Sequence, residues 1–254
     1  MGMPRTPASL HLPEVSFSDD GQVRHLHLGT PWIQGSMRLD APFELELEYV
    51  QRMMAWLLFR EPQDLGGLHS MQLGLGAAAL TKFCFKKLRM RATAIELNPQ
   101  VLQACRLWFK LPADTARLQV LLADAAREIR QDGHLGTVDA LQVDLYDQEA
   151  AAPVLDAEAF YADCRRLLTD EGVMTVNLFG RDASFERSVA RIAAVFGQEA
   201  VWVFRPTREG NTVVLAQRQP VRPDRADLVR RAEAISSRWG LPAPKWLRLL
   251  KPLR

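Results

Sequence analysis

Acidic and glycine residues follow short apolar runs at four places in the middle of the chain. Gly74 and Gly76 come after the first run, Glu96 ends the second, 20 residues beyond Gly76, and Asp124 follows the third. Glycines let the backbone turn tightly and approach a ligand closely. A carboxylate at Glu96 can accept hydrogen bonds from both hydroxyls of a ribose, and one at Asp124 can accept from the amine of adenine. The pattern predicts a nucleoside-binding site.

The fourth run ends in Asp144, and Asp147 follows three residues later. Two carboxylates at the mouth of a crevice can hold a cationic amine or remove its proton. Each acidic residue also has a purely structural interpretation. Asp124 can cap the helix that follows it, Glu96 can do the same before Pro99, and aspartates favour turns. Four such markers in succession favour a binding site over four separate structural roles.

Alternating strands and helices must position these residues. Strands are predicted at 70–74, 92–96, 118–122, 138–143, 172–178, 200–205 and 211–217, and helices at 78–88, 99–109, 124–131, 158–168 and 182–197. Short, continuous apolar strands are typical of a sheet that is covered on both faces. The alternation therefore predicts an α/β fold with a doubly wound, mostly parallel sheet, in which ligands bind beyond the carboxyl ends of the strands.

The short loop between the last two strands predicts an antiparallel pair at the end of the sheet. Together with Asp124, this pair favours a seven-stranded, Rossmann-like sheet of the methyltransferase type. Ala79 stands where the third glycine of a dinucleotide fingerprint falls, and that fingerprint also permits alanine. A dinucleotide enzyme therefore remains an alternative on the motif alone.

The chain divides into three predicted parts. Residues 1–41 are expected to form a small antiparallel β-sheet domain, because Asp-Gly at 20–21 between two short runs is a hairpin signal. Residues 42–220 are expected to form the nucleoside-binding domain. Pro42 suits a helix start, and the apolar residues have helical spacing from Leu47 onward. Residues 221–254 are expected to form a basic helix followed by an irregular tail.

The composition is that of an ordinary soluble globular protein. The 254 residues are 48% hydrophobic and 24% charged, which excludes a disordered chain. The chain contains no run of 18 apolar residues, so no transmembrane helix is expected. The N-terminal residues lack the apolar core of a secretion signal. Cys84, Cys105 and Cys164 are too widely spaced for a disulfide framework or a zinc site. We therefore expect a cytoplasmic protein with reduced thiols and no bound metal.

Charge is unevenly distributed along the chain. The net charge is +2, whereas residues 218–254 contain ten Lys or Arg against three Asp or Glu, a sum of +7. A basic tail can contact nucleic acid or acidic lipid. Because no RNA-binding motif accompanies it, we expect the solvated face of a terminal helix, with neither nucleic acid nor membrane as a partner.

From about residue 31 to 217 the chain resembles the spermidine synthase, or polyamine aminopropyltransferase, family. The family motifs and their matches are the glycine turn GGGDGG at 74–79, VEIDP at 94–99, the acidic turn at 123–125, D-x-x-D at 144–147, EEFY at 158–161, an IQ stretch at 33–34 and YHEM at 49–53. The resemblance implies the fold described above, including the small β-sheet domain before the main sheet. It also implies a homodimer.

The resemblance further implies an activity. The donor would be decarboxylated S-adenosylmethionine, the acceptor a diamine such as putrescine, and the nucleoside product methylthioadenosine, with no metal needed. The resemblance also implies a role for each matching residue. On the donor side, Gly74 and Gly76 form the turn, Glu96 holds the ribose, and Asp124 with Ala125 holds the adenine. On the acceptor side, Asp144 orients and deprotonates the amine and Asp147 assists it, while Gln34 and Tyr49 close the pocket.

Three polar residues of the family pattern are replaced. The aspartate of the glycine turn is Ala77, and the His and Glu of YHE are Val50 and Gln51. One alternative is therefore a methyltransferase that uses S-adenosylmethionine itself, because the change at 77 makes room and removes a charge that repels the donor's own carboxylate. A second alternative is a non-catalytic nucleoside-binding homologue.

Overall fold

The computed structural model describes residues 12–63, 65–145, 155–179 and 183–253. Near the N-terminus, three strands form an antiparallel sheet in the order β1-β2-β3. They are β1 (Val15–Asp20), β2 (Val23–Leu28) and β3 (Ile33–Arg38). Gly21, with φ +57°, provides the left-handed residue of the turn between β1 and β2. The predicted small antiparallel sheet is confirmed. Strand β3 packs against the helix Ala79–Lys86, which follows the first strand of the main sheet.

The main sheet has eight strands. They are β4 (His69–Leu73), β5 (Arg91–Glu96), β6 (Leu118–Leu122), β7 (Val138–Val143), β8 (Leu168–Phe179), β9 (Val201–Phe204), β10 (Asn211–Gln217) and β11 (Leu250–Pro252). Their order is β11-β9-β10-β8-β7-β4-β5-β6. The five strands from β8 to β6 run parallel, while β10, β9 and β11 pair antiparallel at the other side. The predicted fold class is confirmed.

Helices cover both faces of this sheet. They are α1 (Glu48–Arg52), α2 (Ala79–Lys86), α3 (Pro99–Trp108), α4 (Ala125–Glu128), α5 (Glu158–Leu167), α6 (Ala183–Phe196), α7 (Arg225–Trp239) and α8 (Ala243–Leu249), with a 3₁₀ segment at Met53–Phe59 after α1. One core layer joins the 3₁₀ segment, α2, α7 and α8 to the sheet. The opposite layer joins α5 and α6 to the sheet. This double cover explains why the parallel strands read as continuous apolar runs.

Two predictions about the segments flanking the sheet need correction. Helix α1 begins at Glu48, next to Leu47 where the helical spacing of apolar residues begins, and Pro42 does not start a helix. Leu45 is buried and its carbonyl accepts a hydrogen bond from the Gln51 side chain (2.7 Å), which holds the preceding segment irregular. The C-terminal tail is ordered, since α8 buries Trp246 and β11 adds an eighth strand to the predicted seven. Pro252 is tolerated there because β11 is an edge strand.

Three further predictions concern the cysteines, membrane-spanning helices and the domain boundaries. The three cysteines are buried and unpaired. Within the described ranges, no helix is both long and apolar enough to cross a membrane. The boundaries of the three predicted domains stay predictions.

Candidate active site

A cavity of about 1010 Å³ opens beyond the carboxyl ends of the parallel strands and is covered on one side by β3. Eight of the nine residues predicted to form the site line it: Gln34, Tyr49, Gly74, Gly76, Glu96, Asp124, Ala125 and Asp144. The ninth, Asp147, lies outside the described residues. The structure thus brings the eight residues together in one place, while their individual roles stay predictions.

Two positions of the turn after β4, Gly74 and Gly76, require glycine. Gly74 has φ +83°, and a Cβ there would lie 2.3 Å from the backbone oxygen of Asp144. Gly76 has φ +51°, and a Cβ there would lie 3.0 Å from the carbonyl oxygen of Gln34. Both contacts are with backbone atoms, which cannot move aside cheaply. The two glycines therefore let the turn pack directly against the end of β7 and against β3.

Glu96, at the end of β5, is held by backbone donors. Its Oε2 accepts from the N–H of Leu75 (2.8 Å) and its Oε1 accepts from the N–H of Asn98 (2.8 Å). Burial raises the pKa of the Glu96 carboxyl, and these backbone hydrogen bonds act in the opposite direction. Each carboxylate oxygen can accept more than one hydrogen bond. Glu96 can therefore receive two hydroxyl donors from the cavity while it remains fixed.

Asp124 has the structural role that the sequence left open. Its Oδ1 accepts from the N–H of Ala126 (2.9 Å), which caps the N-terminus of α4. Its other oxygen is 3.9 Å from Nε of Arg127, too far for a hydrogen bond. Asp124 is exposed and also lines the cavity. Capping and ligand binding are therefore compatible, because they use different oxygens.

Asp144, just after β7, is held by two side-chain donors. Nδ2 of Asn177 donates to its Oδ1 (2.9 Å), and the hydroxyl of Tyr49 donates to its Oδ2 (3.3 Å). Burial raises the pKa of Asp144 to about 6, while these two hydrogen bonds oppose the shift. Burial and the charge of Asp144 raise the pKa of Tyr49 well above 10, so Tyr49 stays a donor. A carboxyl that titrates near neutral pH is suited to proton transfer.

The sequence did not predict several further residues that line the cavity. Asn177 and Phe179 lie at the end of β8, Glu209 and Asn211 lie at the turn into β10, and Glu46 and Glu48 precede Tyr49 in the chain. Asn177 had a readable signal, because it ends a fifth parallel strand at the same edge as the four markers. The other residues reach the cavity through strand pairing and through packing of α1, which no short motif encodes.

Ala77 has a different environment from the one the sequence suggested. It is only 2% exposed and does not line the cavity. A Cβ built on Gly35 in β3 would lie 2.7 Å from the methyl group of Ala77. The replacement of the family's aspartate therefore does not make room in the cavity, because β3 occupies the space beside residue 77.

Comparison with known proteins identifies relatives along almost the whole chain. A polyamine aminopropyltransferase from Neisseria meningitidis serogroup B is 35% identical over 249 residues, which are 96% of this chain and 92% of that protein. One from Chromobacterium violaceum is 33% identical over 247 residues, with the same coverage. A human eEF1A lysine and N-terminal methyltransferase is 26% identical over 215 residues, 78% of this chain and 30% of that protein.

Solved structures agree on the fold. A probable spermidine synthase from Corynebacterium glutamicum superposes with a TM-score of 0.73 at 20% identity, covering 94% of this chain and 87% of that chain. Human methyltransferase-like protein 13 in complex with SAH superposes with a TM-score of 0.67 at 24% identity, covering 77% and 93%. No family model matches the chain. The full-length identity to the bacterial enzymes is decisive: the chain belongs to the polyamine aminopropyltransferase family.

Proposed function

We propose that this protein transfers an aminopropyl group from decarboxylated S-adenosylmethionine to a diamine such as putrescine, with methylthioadenosine as the second product. Membership in the family supports the reaction class. The observation that carries the proposal is the position of Asp144, which titrates near neutral pH between Tyr49 and Asn177 and directly beside the glycine turn. A proton acceptor is thus available where the donor would be bound.

The donor is assigned to the part of the cavity between the glycine turn and α4. Glu96 would accept from the ribose hydroxyls, and Asp124 would accept from the adenine amine with Ala125 packed beside the ring. Gln34 supports this assignment, because it lines the cavity and its Nε2 is a buried donor without a partner among the described residues. A cavity of about 1010 Å³ is large enough to hold a nucleoside and an amine together.

The reaction is a direct displacement. The amine nitrogen attacks the propyl carbon bonded to the sulfonium, so a C–N bond forms while the C–S bond breaks and its electron pair stays on sulfur. Alkylamines are mostly ammonium ions at pH 7, so a proton must leave the nitrogen. Asp144 would accept that proton, and Asp147 would assist it. Holding the two reactants in line accounts for much of the acceleration in such reactions.

The distal ammonium of a diamine needs a carboxylate of its own. Three glutamates line the cavity from the segments that also supply Tyr49 and Asn211: Glu46, Glu48 and Glu209. Glu48 is neutralised by an ion pair with Arg52 (2.6 Å). Neither Glu46 nor Glu209 forms an ion pair with any residue in the described ranges. Glu209 lies two residues from Asn211, whose side chain is linked to Asp144 through Asn177. We therefore assign the distal ammonium to Glu209.

A methyltransferase is the second candidate. Ala77 adds no room to the cavity, but it lacks the charge of the family's aspartate, which would repel the carboxylate of the full donor, and a human methyltransferase is 26% identical over 78% of the chain. Calorimetric titration with decarboxylated S-adenosylmethionine, S-adenosylmethionine and methylthioadenosine distinguishes the donors. The proposed function requires tighter binding of the decarboxylated donor and formation of spermidine from putrescine. Preference for the full donor, with no polyamine product from several diamines, would replace it with methyl transfer. Binding without any turnover would identify a non-catalytic homologue.

We also propose that the protein is a homodimer. Among the described residues, strand β1 lies at an edge of the small sheet, and its side chains are mostly exposed. Exposed strand edges are commonly covered in native proteins. Light scattering at micromolar concentration is expected to give twice the chain mass of 28.6 kDa, and a value equal to the chain mass would contradict the proposal.

A further inference from the structure

Two amide side chains connect Asp144 to the antiparallel part of the sheet. Nδ2 of Asn211, at the start of β10, donates to Oδ1 of Asn177 on β8 (3.2 Å). Nδ2 of Asn177 in turn donates to Oδ1 of Asp144 after β7 (2.9 Å). Because β10, β8 and β7 are neighbours in the sheet, the two hydrogen bonds run across it in one direction, with both donors pointing toward the carboxylate.

The direction of these bonds matters because an amide has two unlike ends. Its NH₂ group stabilises a carboxylate, whereas its oxygen repels one. Asn177 is only 4% exposed, so neither end can turn to bulk water for a partner. The bond from Asn211 occupies the oxygen of Asn177 and thereby fixes which end faces Asp144.

Asn211 is itself held by the turn between β9 and β10. Its N–H donates to Oγ1 of Thr207 (3.2 Å), and its carbonyl accepts from the N–H of Thr207 (2.8 Å). Thr207 is buried. Asn211 also pairs with Phe179 in the register of β10 and β8. The outer amide therefore starts from an anchored backbone position.

We propose that Asn211 and Asn177 form a two-amide relay that keeps the Asp144 carboxylate charged and fixed in orientation. The inference rests on the proposed aminopropyl transfer, in which Asp144 is the proton acceptor. Both amides are positioning residues in this scheme, since neither of them takes the proton.

The surroundings of Asp144 make such a relay necessary. Tyr49 of α1 is the titratable group in direct contact with it. The other ionisable groups around the cavity, among the described residues, are all acidic: Glu46, Glu48, Glu96, Asp124 and Glu209. None of these groups supplies a positive charge, and burial favours the protonated carboxyl. The hydrogen-bond donors are therefore what opposes protonation, and the relay supplies the shorter of the two bonds.

The test compares isosteric leucine variants by the pH dependence of kcat/KM for putrescine. Loss of a donor favours protonated Asp144, so the acid limb should move to higher pH. We expect a shift of about one pH unit for Asn177→Leu and of roughly half that for Asn211→Leu. Gln217→Leu is the matched control, because it removes a buried amide from the same strand roughly 20 Å away. Its acid limb should match that of the unchanged protein.

A second measurement does not depend on turnover. The Asp144 carboxyl is titrated by carbon-13 NMR in the protein alone, with its resonance assigned by Asp144→Asn. The same upward displacement is expected in Asn211→Leu, which is the more exposed site and decides the matter if Asn177→Leu does not fold. Unchanged midpoints in Asn211→Leu by both measurements would overturn the relay. If the protein makes no polyamine but the Asp144 titration is still displaced in the variants, the proposed function is refuted. The relay would then still control the charge of Asp144.

Discussion

The two ends of the cavity, which we propose to bind the aminopropyl donor and the acceptor amine, are held by different kinds of contact. At the proposed donor end, Glu96 is fixed by the backbone amides of Asn98 and Leu75, which are 2 and 21 residues away along the chain. At the proposed acceptor end, Asp144 is fixed by the side chains of Tyr49 and Asn177, which are 95 and 33 residues away. Backbone groups hold one carboxylate, and side chains from more distant segments hold the other.

This difference has a functional consequence. The proposed donor end is expected to keep its geometry when the side chains around it change, because its donors are backbone groups that follow the paired strands β4 and β5. The acceptor end depends on α1 and on two further strands being correctly placed. We therefore expect changes at the donor end to act mainly on nucleoside affinity, and changes at the acceptor end to act mainly on turnover.

The largest effect is expected at Asp144. Asp144→Asn keeps the shape of the side chain and removes the proton acceptor, so spermidine formation should fall by about 100-fold or more. Binding of methylthioadenosine, measured by calorimetry, should be nearly unchanged. A variant that loses nucleoside affinity and turnover together would remove the proposed separation between the two ends.

The next effect concerns Glu96. Glu96→Gln removes the charge that strengthens hydrogen bonds to hydroxyl donors, and it leaves one of the two backbone N–H groups facing an NH₂ group. Affinity for methylthioadenosine should fall by about 1.5–3 kcal/mol. Calorimetry measures the change, and an unchanged thermal midpoint shows that the fold persists. Equal affinity in the variant would mean that the ribose is not bound by Glu96.

A smaller effect is expected at Glu209. Glu209→Gln should raise the KM for putrescine by about two- to fivefold with little change in kcat, because an exposed ion pair contributes little free energy. Glu48→Gln is the control, since Arg52 already neutralises that carboxylate. Similar KM values for the two variants would show that Glu209 does not anchor the acceptor.

The smallest effect separates two functions of Asp124. Asp124→Ser preserves a capping oxygen for α4, whereas Asp124→Ala removes it and should cost about 1 kcal/mol of stability. Both variants lack the carboxylate proposed to face adenine, so both should lose nucleoside affinity by a similar factor. Chemical denaturation and calorimetry on the same samples compare the two effects. If only the alanine variant binds more weakly, the role of Asp124 is capping alone.

The pH dependence of the unchanged enzyme follows from the state of Asp144. A proton acceptor must be deprotonated, so kcat/KM should fall as the pH decreases through about 6. The acid limb of the kcat/KM profile should disappear in Asp144→Asn. An acid limb near pH 4 in the unchanged enzyme would mean that burial does not raise the pKa of the catalytic carboxyl.

How far the sequence predicted the structure depended on the range of the interactions. The parallel strands were correctly predicted because burial on both faces leaves a short, largely apolar run at each, and Glu96 was found because it ends such a run. Asn211 and Glu209 were missed because only the pairing of β10 with β8 brings them to the cavity. Strand β11 was missed for a similar reason, since three residues carry no period and acquire their conformation from pairing with β9.

The contact between Gly35 and Ala77 limits which side chains either position can carry. The absence of a side chain at 35 lets β3 lie directly on the turn that begins α2, where Ala77 is buried. A Cβ at 35 would lie 2.6 Å from the backbone nitrogen and 2.7 Å from the methyl carbon of Ala77, and an aspartate at 77 would add a larger, charged group in the same place. Substitutions at 35 and 77 are therefore expected to be non-additive. Restoring the family's carboxylate at 77 should require a shift of β3 in addition to the substitution itself.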